Sequence, residues 1–308
     1  MLIDTSIPLP LAVWLIHDDY DYGTDPYYMS ATQLLQPTRS IVLSKRVPEP
    51  EEIDLSRLIA PKLGNAIHDS IEAIWKVPAY REAAMLKLGY PEKIVNNLDV
   101  HIEERSKRKF KNYTIGGKFD MVINGNLFDF KSTSVYTWIN QDKLNDYQLQ
   151  GSIYRWLNPN LIESDDITIC YIFTDWSAKE AAYKEGYPNQ RIKQQAIPLL
   201  SFAEVERFLD RKIKEVENND ALDQNAMVRC SDEELWRSQP KFKYYASGDT
   251  TKRATRVFDT ANEAAAFKAG NKSKGTIMMV PGSPKRCNYC YAAPICEQRR
   301  EMLGGESD

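Results

Sequence analysis

Long apolar runs are missing from this chain of 308 residues. No window approaches the ~18 uninterrupted apolar residues that a membrane span requires. The apolar stretch Leu9–Ile16 is too short for a secretion signal and lacks its basic flank. Both absences point to a cytoplasmic protein with no membrane partner. Cysteine is scarce, at five residues, and without a secretion signal so few argue against a disulfide framework. A surplus of positive charge is also missing. Lys and Arg number 40 against 43 Asp and Glu, a net charge of −3, so any nucleic-acid contact has to come from a local patch instead of a bulk field. What is present, 43% hydrophobic and 27% charged residues, describes an ordinary globular protein. Its length suffices for a sizeable core, as one large domain or one domain with an appendage.

The most informative stretch runs from Thr114 to Thr133. Asn124-Gly125 between two apolar runs is a strong hairpin signal. A two-residue turn there makes the numbers of cross-strand partners sum to 249, so Ile123 faces Asn126 and Asp120 faces Asp129. Directly opposed carboxylates ~5 Å apart repel, and a divalent cation between them removes the repulsion. Lys131, two residues after Asp129, projects on the same side of the strand and brings an ammonium to the same place. Taken alone, an Asp-x-Lys triplet is more often an ordinary ion pair on a polar face.

Around this hairpin the chain alternates helices and strands. The run 18–28 is rich in Tyr and Asp and reads as a loop, and Ser30 with Gln33 reads as the cap of a short helix. From Pro61 to Trp75, Leu63, Ile67, Ile71 and Ile74 recur at helical spacing, with Gly64 and Ala66 permitting close packing and with His68 and Glu72 one turn apart on one side. Residues 101–113 alternate as one strand before the hairpin, and Arg105, Lys107, Lys109 and Lys111 share its parity. Four cations on one face either guard a sheet edge or track a phosphate backbone towards the carboxylates.

Leu144–Leu157 reads as a helix ended by Asn158-Pro159, with Gln150 and Tyr154 one above the other. Ile167–Phe173 reads as a buried strand in which Cys170 is a small core residue. Phe202–Val216 reads as an amphipathic helix. Beyond about residue 221, Ser231 looks like a helix cap, Lys241–Tyr245 and Thr255–Phe258 like a strand pair, and Thr260 with Glu263 like a capping box. Last comes Cys287-x₂-Cys290-x₅-Cys296, a spacing that brings three thiolates to one metal ion. The fourth ligand has to come from elsewhere, and Cys230 is better placed for it than strand-bound Cys170. Zinc and a [4Fe-4S] cluster both accept four thiolates.

Phe128-Asp129-Phe130-Lys131-Ser132-Thr133, following Gly116-Gly117-Lys118-Phe119-Asp120, resembles the metal-binding core of the PD-(D/E)XK nucleases. Gly64-x₃-His68-x₃-Glu72 upstream resembles the histidine motif of the RecB-like branch, and Gln150-Gly-Ser-Ile-Tyr154 downstream resembles its Gln/Tyr motif. The cysteine ending is similar to the iron–sulfur clasp of RecB-like and CRISPR-associated nucleases. It departs from them in one respect: their fourth cysteine precedes the nuclease core, and no cysteine here lies before position 170. A looser likeness over the whole chain is to exonucleases encoded by bacteriophages.

The resemblance implies an α/β fold, a restriction-endonuclease-like mixed central sheet flanked by helices, with a C-terminal Cys-rich metal-binding segment. Residues 1–220 would be the nuclease core with an N-terminal helical extension, and 221–308 an accessory segment. It implies a DNA exonuclease of recombination, repair or DNA degradation in a bacterial or phage-infected cell, as a homo-oligomer or with a recombination or replication protein as partner. Mg²⁺ or Mn²⁺ would be held by His68, Asp120, Asp129 and the Phe130 carbonyl. Lys131 would stabilise developing charge, Gln150 and Tyr154 would hold the substrate strand, and a [4Fe-4S] cluster or Zn²⁺ would sit on Cys230, Cys287, Cys290 and Cys296. The alternative is a degenerate nuclease fold that grips DNA without cutting it.

Overall fold

Asn124 and Gly125 both take positive φ, 47° and 75°, which is the geometry of a two-residue hairpin turn and the reason glycine suits its second place. The computed structural model describes residues 7–18, 25–48, 54–272 and 274–304; most of the Tyr/Asp-rich run at 18–28 lies outside them. Contacts divide the chain into two units, Met1–Gln36 with Glu49–Lys212, and Pro37–Pro48 with Ile213–Asp308.

The first unit contains α1 (Leu9–Ile16), β1 (Tyr28–Ser30) and α2 (Ala31–Leu34). The next helix, α3 (Thr38–Ser44), belongs to the second unit. The first unit resumes with α4 (Ile59–Lys76), α5 (Pro78–Lys87), α6 (Glu92–Val95), β2 (Val100–Ile102), β3 (Arg105–Phe110), β4 (Tyr113–Lys118), β5 (Met121–Ile123) and β6 (Asn126–Thr133). It continues with α7 (Val135–Asn140), α8 (Leu144–Leu157), β7 (Asp166–Phe173), α9 (Ala178–Tyr183), β8 (Ile192–Pro198) and the start of α10 (Phe202–Asp220). The second unit adds β9 (Lys241–Tyr245), β10 (Arg256–Phe258), α11 (Ala261–Gly270), β11 (Thr276–Val280) and α12 (Glu297–Met302).

A mixed α/β architecture results. Its main sheet has the order β2-β5-β6-β7-β8. β6 and β7 are parallel, and every other neighbouring pair is antiparallel. A parallel pair needs a crossover, supplied here by α7 and α8. A second sheet, β1-β4-β3, lies in the same unit. The hairpin register is Met121↔Phe128, Val122↔Leu127 and Ile123↔Asn126, the sum of 249 that the turn requires.

Two expected strands are broken. The stretch 101–113 is not one strand but β2 and β3, and 114–123 is not one strand but β4 and β5. Both breaks fall at the same level, where the Glu103 amide donates to the Asp120 carbonyl at 3.0 Å and Glu103 takes φ 55°. Each stretch therefore supplies one strand to each sheet, and Phe119 fills the corner with no exposed surface.

α8 covers one face of the main sheet. Ile153, Trp156, Ile167 and Ile169 are each at most 1% exposed, and fully burying side chains of this size contributes roughly 1.5–3 kcal/mol each. Gly151 permits the approach: a Cβ there would come within 2.8 Å of Ile167 and 2.9 Å of Leu199. α4 packs on the other face of β6, where a Cβ at Gly64 would lie 3.1 Å from Ser132 Oγ. The apolar stripe expected to bury α4 is only partly covered, since Leu63 and Ile74 remain exposed.

Residues 37–48 lie with the C-terminal unit because α3 is tied there. The Arg39 guanidinium donates to the Gln224 carbonyl at 2.8 Å, and Arg46 donates to the Leu222 carbonyl at 3.0 Å. In that unit β9 pairs with both β10 and β11, and α11 opens on a capping box in which Thr260 and Glu263 each cap the other's backbone. Ser231 and Glu234 form the same reciprocal pair, yet no helix follows, because Trp236 turns left-handed at φ 48°. Among the described residues no helix is long and apolar enough to cross a membrane.

Candidate functional site

Asp129 is the most buried of the acidic candidates, 1% exposed in the middle of β6. Strand alternation places it and Lys131 on the α8 side, and the Lys131 ammonium lies 2.6 Å from Asp129 Oδ2. That oxygen is buried, and the Lys131 ammonium is its charged neighbour. Burial alone would depress the Lys131 pKa, but the charges of Asp129 and Asp120 outweigh it and hold the ammonium above its ordinary value.

Asp120 does not stand opposite Asp129 in the ladder. Pairing ends at Met121, and Asp120 occupies the corner between the two sheets, where its Oδ2 accepts the Phe130 amide hydrogen at 2.8 Å. Burial pushes its pKa up to about 6, and the neighbouring Asp129 charge adds to this; Lys131, His68 and the Phe130 amide pull the other way. Two carboxylates whose charges act on each other favour a cation beside them.

His68 reaches Asp120 from α4, Nδ1 to Oδ2 at 3.5 Å. Its ring meets Phe130 edge-on at 6.2 Å. Phe130 and Ser132 point to the α4 side while Asp129 and Lys131 point to the α8 side, so His68 and Asp129 approach Asp120 from opposite faces of β6. Consistent with this, among the described residues no three His, Cys, Asp or Glu side chains converge as a ready ligand set. Glu72, one turn beyond His68, forms an ion pair with Lys76.

α8 brings Gln150 and Tyr154 to the same place. Gln150 Oε1 accepts from Lys131 at 3.5 Å, and its Nε2 donates to the Tyr154 hydroxyl at 2.8 Å. Both are buried, at 8% and 3% exposure. Gly117 carries no side chain where one would meet Tyr154 at 3.0 Å, which lets α8 lie across the corner. Tyr147 was not singled out by sequence reasoning; its ring lies 5.4 Å from the Lys131 ammonium. The signal was available, since Tyr147, Gln150 and Tyr154 fall on one helical face at i, i+3 and i+7. Cys170 sits near the same carboxylates, and burial followed by the charges of Asp129 and Asp120 pushes its thiol up to about 11.

The basic stripe is shorter than its parity suggested. Arg105, Lys107 and Lys109 lie exposed on the edge strand β3, with Lys107 5.4 Å over the Tyr28 ring. Lys111 lies beyond the strand, in a left-handed turn at φ 53°, and forms an ion pair with Asp210.

In the second unit, Cys230, Cys287, Cys290 and Cys296 line one cavity with Ser40, Arg39 and Gln298. Ser40 Oγ is 3.4 Å from Cys290 Sγ, and the Gln298 side chain holds both the amide and the carbonyl of Cys230. Burial first, then the nearby charges of Glu234 and the other thiols, pushes Cys230 up to about 12. Cys170 belongs to the first unit.

No protein-family model matches the chain, and no curated protein matches it. Among solved structures it is similar to one titled "Crystal structure of SSO0001", at 20% identity and a TM-score of 0.40, covering 66% of this chain and 81% of that one. A likeness at that level carries no functional argument.

Proposed function

We propose that the first unit is a divalent-metal-dependent deoxyribonuclease with a restriction-endonuclease-like sheet, acting on DNA ends as an exonuclease. The observation that carries this reading is Asp129: a carboxylate 1% exposed, against the Lys131 ammonium at 2.6 Å and coupled to a second, half-buried carboxylate, Asp120. A structural ion pair has no need of the second acid.

The donor chemistry fits a hard cation. Asp120 and Asp129 offer carboxylate oxygens and the Phe130 carbonyl a third, donors suited to Mg²⁺ or Mn²⁺; His68, on the other face of β6, would join them through the side of Asp120 that it contacts. When bound, such an ion supplies Lewis acidity at a phosphate and makes water a stronger nucleophile at neutral pH. The remaining work falls to the chain. Lys131 donates its ammonium to charge developing on the phosphate oxygens, and the charges of Asp129 and Asp120 keep it protonated against the effect of burial. Gln150, hydrogen-bonded to Tyr154, fixes where Lys131 points. The exposed cations of β3 offer contacts to the substrate backbone.

In the second unit, four thiols at one cavity fit either zinc or a [4Fe-4S] cluster in type and number. We assign this centre to stability, since three ligands close to one another and one more than fifty residues upstream close a long loop.

The test is a time course with Mn²⁺ on 5′- and 3′-labelled linear DNA and on circular DNA. Loss of linear DNA only is expected, and Asp129→Ala and Lys131→Ala should each abolish it with the fold intact. Residual activity within a few-fold of wild type in both variants overturns the assignment. DNA bound but never cut by the wild type identifies instead a degenerate nuclease fold used for binding.

A further inference from the structure

Between Lys241 and Arg286 there are ten Lys or Arg residues against three Asp or Glu. The chain as a whole carries −3, so this segment is a strongly basic island in an otherwise acidic protein. Arg286 lines the cysteine cavity; the other nine cations belong to neither the carboxylate nor the cysteine site.

The topology sorts the charges. β9 ends at Tyr245 opposite Thr276, the start of β11, and the Thr255 amide donates to the Tyr244 carbonyl as β10 begins. The loop 246–255 and the residues Lys272, Lys274 and Gly275 therefore meet at one end of the three-stranded sheet. Gly248 lies close to the Thr276 hydroxyl, and the Tyr244 hydroxyl donates to the Lys274 carbonyl at 3.1 Å. This end carries Lys252, Arg253, Lys272 and Lys274, all exposed, and its one acid is Asp249, 3.5 Å from Lys252. The other two acids of the segment, Asp259 and Glu263, sit at the opposite end. There Asp259 neutralises Lys241, and Glu263 caps α11.

Packing holds the cluster in place. Gly275 turns at φ 77° where a Cβ would strike the Tyr245 carbonyl and the Tyr244 ring, so the turn bearing Lys272 and Lys274 is pinned to β9. Phe267 of α11 packs edge-on against Tyr244 and at a tilt against Phe258, each at 5.2 Å between ring centres. Arg253, Lys272 and Lys274 enter no ion pair among the described residues. Four like charges held within one end of a small sheet repel one another, and a polyanion removes that repulsion.

We infer that Lys252, Arg253, Lys272 and Lys274, brought together at one end of the β9-β10-β11 sheet, form a second DNA site that holds the phosphate backbone without reading sequence. This inference rests on the nuclease reading above for its choice of polyanion. Charge clusters of this kind position a nucleic acid and set its salt-dependent affinity. The site would lengthen the residence of the protein on its substrate and take no part in bond cleavage.

The experiment measures DNA binding by the full chain in EDTA, across a salt series, with a labelled duplex and with a single strand. Replacing all four residues by Gln should lower the slope of log affinity against log salt by about 3 to 4, and weaken binding at 100 mM salt by about tenfold or more. The variant with Lys252, Lys272 and Lys274 all replaced by Arg should keep the wild-type slope, which separates lost charge from lost fold. The Gln variant should also keep wild-type cleavage at saturating DNA with Mn²⁺. An unchanged slope in the Gln variant, with wild-type binding and cleavage intact, overturns this inference alone. A wild-type chain that binds no DNA under any salt condition overturns the nuclease reading together with it.

Discussion

Replacing Lys131 by Met leaves the Asp129 carboxylate, 1% exposed, without its counter-charge and next to Asp120. Breaking a fully buried pair by removing one partner costs roughly 3–5 kcal/mol. The Lys131 side chain is 23% exposed, so water softens the loss, and about 2–3 kcal/mol is expected in EDTA. For a unit of this size that corresponds to a Tm lower by about 5–10 °C. Asp129→Asn combined with Lys131→Met removes both charges and should recover at least half of the loss, because no unpaired charge remains. Mn²⁺ should restore Lys131→Met more than it stabilises the wild type, since a divalent ion supplies the missing charge. Because the chain has two units, the assay should be amide hydrogen exchange of β6 and β7 across a urea series, not a single global melt. A Lys131→Met protein within about 0.5 kcal/mol of wild type, or a double variant as unstable as the sum of the single ones, would refute the reasoning.

Further tests address separate parts of the chain. Gly151→Ala should destabilise the first unit by about 1–3 kcal/mol: helix propensity favours Ala by ~1 kcal/mol, but contacts at 2.8 and 2.9 Å to Ile167 and Leu199 outweigh it, and a more stable variant in urea melts would contradict this. Neutralising Lys107 and Lys109 together should lower the salt slope of DNA binding by about 2, with no change meaning that these residues only guard the β3 edge. His101 lies 2.7 Å from Glu104 and 3.2 Å from Asp99, and its hydrogen bond to Glu104 raises its pKa above 6.5 despite partial burial. Its contribution is therefore full below about pH 6.5 and fades as pH rises through the raised value, and His101→Gln should flatten that step in a stability–pH profile. Anaerobically purified protein should contain iron with sulfide, or zinc, and Cys287→Ser with Cys290→Ser should lose it while Cys170→Ser does not; protein holding neither metal would refute the cysteine centre.

Local rules carried much of this molecule. The Asn124-Gly125 turn, the register summing to 249, helix α8 at Leu144–Leu157 and the Thr260 capping box follow from neighbours within a few residues, where backbone preference and side-chain period act alone. The pairing of Asp129 with Lys131 is of the same kind, because alternation along one strand decides it. Tertiary structure decided the rest. Whether residues 101–123 form two strands or four depends on a bend at Glu103 and Asp120 that serves two sheets at once. The same bend moves Asp120 out of the ladder and leaves His68 on the opposite face of β6 from Asp129, which no spacing in the chain encodes. Ser231 has its reciprocal cap and still starts no helix, since the chain turns at Trp236. Cys230 lines the same cavity as three cysteines more than fifty residues away only because the second unit folds around it, and that closure is a property of packing, invisible to any local window.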